Sequence, residues 1–147
     1  MTSINLTREE AVQRSQMIEV DHYDVTLDLK YSDTHFLSTT KVSFTSREIG
    51  STFIDLRAEE IQEVRLNGNP LPTESYNPAY GIPLSGLQVA DYTLEVTAKI
   101  PYSRTGEGLH RFVDPVDGEV YLYTQFEVPD SRRMYPVFEQ PDLKASF

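Results

Sequence analysis

Between Val120 and Glu127 the chain reads Val-Tyr-Leu-Tyr-Thr-Gln-Phe-Glu. On an extended strand this alternation sets Tyr121, Tyr123, Gln125 and Glu127 on one face and Val120, Leu122, Thr124 and Phe126 on the other. The second face is apolar and is expected to dock on the core. The first offers two aromatic rings, an amide and a carboxylate beside the turn-rich residues 128–136, a combination suited to a ligand wall. The same periodicity equally describes an ordinary solvent face. Other chemistry finds no matching pattern. His22, His35 and His110 lie far apart, without the His-Glu-x-x-His spacing that puts two imidazoles on one helix face, so no metal site is expected. There is no cysteine, no Gly-x-Ser-x-Gly elbow and no phosphate-cradling glycine loop, since Gly106-Glu107-Gly108 is too short. The pairs Glu9-Glu10 and Glu59-Glu60 are adjacent residues whose side chains diverge, so neither pair can flank one glycosidic bond.

The elements that must position these groups read mainly as strands. Thr7 is a candidate N-cap with Glu10 three residues on, predicting a short helix through Ala11 and Met17. From Tyr23 the period becomes two, with Tyr23, Val25, Leu27 and Leu29 opposite Asp24, Thr26, Asp28 and Lys30. Further strands are predicted around Thr40, Val42 and Phe44, from Phe53 to Leu56, and from Ile61 to Leu66, where Asn67-Gly68 turns the chain back through Leu71. The cleanest alternation places Tyr92, Leu94, Val96, Ala98 and Ile100 on one face, and Asp117-Gly118 then turns the chain into the strand that carries Gln125. Seven or eight short strands with Pro and Gly in their connections predict an antiparallel β-sandwich or strongly bent sheet. Leu143, Ala145 and Phe147 read like the beginning of another strand.

The chain has 147 residues, a size that suits one domain with its own core. A net charge of −10 argues against nucleic-acid partners; it suits a cationic partner such as a peptide amino terminus, or simply solubility. Residues 1–10 hold no basic and apolar leader pattern, and no stretch reaches membrane-spanning length, so no membrane partner and a cytoplasmic location are expected. The sequon Asn5-Leu6-Thr7 would matter only in a secreted protein.

Thr124-Gln125-Phe126-Glu127, then Arg132, Pro136, Pro141, Lys144, Ala145 and Phe147, resembles the aminopeptidase N family of zinc metallopeptidases in order and spacing over about two dozen ungapped positions. Residues 23–29, Val64-Arg65-Leu66-Asn67-Gly68 and Gly108-Leu109-His110-Arg111 add weaker echoes, while Val128, Ser131, Tyr135 and Glu139-Gln140 depart from the family pattern. The resemblance implies a single saddle-shaped N-terminal β-domain over residues 1–147: a helical segment to residue 20, sheets over 21–127, and a loop with the start of the next strand over 128–147. It also implies that this domain completes the active site of a neighbouring, downstream catalytic domain. By the same resemblance Gln125 lines the pocket for the first side chain of a peptide substrate, and Glu127 holds its free α-ammonium group. The zinc motif and a second amine-binding strand would lie beyond Phe147, so the chain alone is expected to bind no zinc and to be inactive. A stand-alone β-sandwich interaction module is the alternative from another class, and a carbohydrate-binding sandwich would rest only on Tyr121 and Tyr123.

Overall fold

In the computed structural model, residues 6–127 and 129–147 are described; Asn5 of the sequon and Val128 of the motif lie outside them. Helix α1 (Arg8–Met17) is followed directly by β1 (Ile18–Asp28), then β2 (His35–Ser46), β3 (Gly50–Ile54), β4 (Glu60–Leu66) and β5 (Asn69–Pro70). β6 (Ile82–Leu87), β7 (Ala90–Pro101), β8 (Gly108–Val113) and β9 (Val120–Gln125) complete the strands, and a 3₁₀ turn spans Ser131–Arg133. The fold is mainly β, as expected. Five strands form one antiparallel sheet in the order β1-β2-β7-β4-β5, while β3 pairs with β6 and β8 with β9.

Thr7 caps α1 in a capping box: its hydroxyl accepts from the Glu10 N–H, and the Glu10 carboxylate accepts from the Thr7 N–H. The helix stops at Met17, so the sheet begins at Ile18 rather than after residue 20 as the sequence reading placed it. The cause is a β-bulge between Val20 and His22. Ile18 and Val20 are buried on even positions and Tyr23 on an odd one, because the extra residue shifts the phase of the alternation. Leu29, expected to extend that face, instead lies in the turn after β1 and is exposed.

The large sheet is built on cross-strand pairs. Phe44 sits opposite Tyr92, Val42 opposite Leu94 and Phe36 opposite Ile100 between β2 and β7. Val64 opposite Val96 extends the layer to β4. Ile54, Ile82, Leu84 and Leu87 of the small β3–β6 sheet belong to the same buried cluster, so the two sheets share one core. At the β4–β5 hairpin Asn67 and Gly68 both take positive φ, 50° and 81°, as the expected tight turn requires.

The C-terminal segment closes this core. Asp55 and Val137 exchange two backbone hydrogen bonds, of 2.9 and 3.0 Å. Phe138 is buried against Phe44 edge to face, and its N–H donates to the Tyr23 hydroxyl at 3.0 Å. Burial pushes the Tyr23 phenol well above its ordinary pKa, so it stays neutral and serves as acceptor. Residues near the end make one parallel bridge to β1, through Ser146 and His22, and the described residues there form no further strand. Among the described residues no helix is long and apolar enough to cross a membrane.

Candidate functional site

The β8–β9 hairpin carries the residues singled out above. Register pairs Gly108 with Gln125, His110 with Tyr123 and Phe112 with Tyr121, which puts these six positions on one face. The opposite face pairs Leu109 with Thr124, Arg111 with Leu122 and Val113 with Val120. Only its base is anchored: Leu109 is buried, and Arg111 stands over the Tyr102 ring. Val120 and Leu122, expected to dock on the core, are exposed, and only Phe126 turns in, edge-on to Tyr135. Alternation of apolar residues marked a face that avoids water, but within this chain the hairpin stands off the core beyond Leu109 and nothing described covers its outer half.

Gln125 is the last residue of β9, and the chain turns immediately, so Glu127 lies in a turn rather than two places along a continuing strand. The two residues still meet. The Glu127 N–H donates to Gln125 Oε1 at 3.2 Å, which orients the amide and leaves its NH₂ free to donate. Both residues are exposed, and the Glu127 carboxylate has no hydrogen bond or ion pair among the described residues. That leaves an anionic acceptor with a neutral donor beside it.

What holds this corner was not visible in the spacing. Gly108, opposite Gln125, has φ +68°, and a Cβ there would come within 2.7 Å of Arg133 Cβ. Arg133 is fixed in that position by Asp130, at 2.7 Å, and Glu107, at 3.6 Å. The 3₁₀ turn that presents Arg133 is in turn gripped by Glu139, whose carboxylate accepts from the Ser131 hydroxyl and from the Arg132 N–H at 2.9 Å. The Glu139 N–H donates to Asp55 Oδ2 at 3.0 Å, Asp55 pairs with Arg14 of α1 at 2.8 Å, and Arg14 Nε donates to Gln140 Oε1 at 3.0 Å. A chain of buried polar contacts thus runs from the N-terminal helix to the turn beneath the hairpin. The departures Glu139-Gln140 are two of its links.

The histidines stay apart. His22 meets Ser146, His35 meets Glu59 at 2.6 Å, and His110 Nδ1 accepts from the Gly106 N–H at 3.0 Å. Among the described residues no three His, Asp or Glu side chains converge to hold a metal ion, so zinc does not fit this chain's own residues.

A sequence model of the peptidase M1 N-terminal domain matches residues 19–147. The chain belongs to this family. Among M1 relatives, the Streptomyces lividans protein named aminopeptidase N is 51% identical over 150 residues, taking in 100% of this chain and 18% of that protein. The Lactobacillus delbrueckii subsp. lactis aminopeptidase N is 23% identical over 129 residues, which are 86% of this chain and 15% of that protein. In fold, this M1 domain matches a crystal structure of Legionella pneumophila aminopeptidase A in complex with aspartic acid. The TM-score is 0.69 at 18% identity, covering 87% of this chain and 15% of that one. The chain therefore spans less than a fifth of the length of the relatives it matches.

Proposed function

We propose that this chain is the substrate-anchoring domain of a zinc-dependent aminopeptidase, a hydrolase that removes amino-terminal residues from peptides. The observation that carries the reading is the exposed Glu127 carboxylate, unpaired among the described residues and tied through its own N–H to Gln125. A peptide amino terminus is a cation that an internal peptide bond lacks. Covered by the rest of the longer protein, such a carboxylate would hold the ammonium by a charge-assisted hydrogen bond and so fix the first residue in register. The oriented Gln125 amide then lies where the first side chain begins. Zinc, held by residues of the longer protein outside this chain, would supply the Lewis-acid chemistry, and this chain alone is proposed to be inactive and free of stoichiometric zinc.

The same reading gives the stand-off hairpin an occupant. Phe112, Val113, Val116, Val120 and Leu122 are exposed on the β8–β9 hairpin and its tip, Val116 by 93%. An apolar projection of this kind is what an intramolecular domain contact buries, and the downstream catalytic domain is the proposed partner. A cytoplasmic location belongs to the same proposal and is tested by cell fractionation.

The test is Glu127→Ala in the longer enzyme. Losing one partner of a desolvated ammonium–carboxylate pair costs roughly 2–5 kcal/mol, which is a fall of about 30-fold to several thousand-fold in kcat/KM. Unchanged kinetics would remove Glu127 from the role. A natural polypeptide of 16.8 kDa, with no catalytic domain attached, would favour an interaction module instead.

A further inference from the structure

We propose that Tyr123, held against His110, forms the far wall of the first-side-chain pocket that begins at Gln125, so that the site selects peptides with an aromatic first residue. This rests on the anchoring role of Gln125 and Glu127 proposed above.

Tyr123 precedes Gln125 by two positions on β9 and shares its face, which places the two residues about 7 Å apart along the strand. That spacing suits a long first side chain and leaves a short one out of contact. A peptide amino terminus held at Glu127 puts the first Cα at the end of the strand, and its side chain can then run along β9 past the Gln125 amide. Three features make the lane apolar and rigid. The Tyr123 ring stacks on His110, with centroids 4.7 Å apart and planes at 30°. His110 is itself immobilised, because its Nδ1 accepts from the Gly106 N–H. Beside Gln125 the paired strand carries only Gly108, which adds no polar side chain to the lane. The lane therefore presents an aromatic wall beyond Gln125, and among the described residues the face it shares on β8 and β9 carries no Lys, Arg, Asp or Glu. Tyr123 remains half exposed despite its stacking partner, so one face of a preorganised ring is available.

The experiment compares kcat/KM of the longer enzyme on p-nitroanilides of Phe, Ala and Arg, for wild type, Tyr123→Ala, Tyr123→Thr, Tyr123→Phe and Glu127→Ala. Thr is included because it keeps a good strand former at the position. The expected result is a fall of about tenfold in the Phe-to-Ala preference for the Ala and Thr variants, with Tyr123→Phe near wild type. Equal losses on all three substrates, an unchanged preference, or a selective loss on Arg would each overturn the proposal. In those cases a large loss in Glu127→Ala leaves the anchoring reading standing. If Glu127→Ala is instead fully active, the anchoring reading falls and takes this proposal with it.

Discussion

Replacing Asp55 by Ala tests whether the buried polar chain beneath the site carries stability. Asp55 bridges α1 and the C-terminal segment: its Oδ2 pairs with Arg14 and accepts from the Glu139 N–H. The Arg14 side chain is 1% exposed and the Asp55 side chain 11%. Removing the carboxylate leaves a guanidinium shut away from water, a change that costs about 3–5 kcal/mol when one partner of a buried pair is lost. The stranded Glu139 N–H adds a further penalty of about 1–3 kcal/mol, which overlaps with the first because the contacts share one acceptor. Some relief comes from Gln140, which still accepts from Arg14, and from the Phe53 and Phe138 rings that flank the guanidinium. A net loss of about 4 kcal/mol is expected. A chain of 147 residues is stable by roughly 7–22 kcal/mol on the usual per-residue scale, so Asp55→Ala should fold but melt early. In urea, with m of about 2 kcal/mol/M, the midpoint should fall by about 2 M at constant slope. Adding Arg14→Met should recover part of the loss, since the uncompensated charge goes with it. A midpoint shift under about 0.5 M, or a double variant whose losses simply add, would refute the reasoning.

Three further expectations follow from local geometry. Gly108→Ala forces a Cβ onto Arg133 at positive φ and should cost about 1–2 kcal/mol from the backbone alone, read as faster hydrogen exchange across β8 and β9; unchanged exchange rates there would count against the Gly108–Arg133 contact. Tyr76→Phe removes the hydroxyl that accepts from the Ala58 N–H at 2.7 Å and donates to the Leu56 or Ala58 carbonyl, and should lower stability by about 1–3 kcal/mol in the same urea assay. Glu59 has its pKa held below the usual 4.5 by the His35 hydrogen bond and then by Lys99. A depressed carboxylate stabilises the fold above its unfolded pKa and loses that contribution as pH falls through the folded value. Stability should therefore drop on acidification from about pH 4.5 downward, and Glu59→Gln should flatten that part of the profile.

The strands were legible wherever one face meets the core and the other meets water. β2 and β7 show this most cleanly: Thr40, Val42 and Phe44 and the Leu94 to Ile100 series are buried where the alternation put them. The start of β1 was hidden by the same logic, because a one-residue bulge cancels the period across Asp21 and His22. The outer half of β9 misled for a different reason. Alternation marks a residue type suited to a covered face, and it does not say whether the cover comes from the same domain; Val120 and Leu122 are exposed here.

The candidate site divides along the same line. Gln125 and Glu127 were recognisable as residue types at a given spacing, since a motif is a local property of the chain. Their support was not, because it depends on contacts over long sequence separations: Arg14 with Asp55 and Gln140, and Glu139 with Ser131 and Arg132. A charged residue in a short surface helix carries no mark that distinguishes a buried Arg14 from a solvated one. The one indirect sign was Glu139-Gln140, where the family pattern has Asp-Glu. Both residues are committed to the polar chain: Glu139 ties the turn that presents Arg133, and Gln140 reaches the Ala11 carbonyl at 2.8 Å. The turn that packs beside Gly108, opposite Gln125, thus rests on a segment that follows the site and on a helix more than a hundred residues before it. Loosening that chain at Asp55 should therefore weaken the substrate anchoring proposed for Glu127, read as a lower kcat/KM in the longer protein even where the fold survives, because the backbone that carries the carboxylate is then held less firmly.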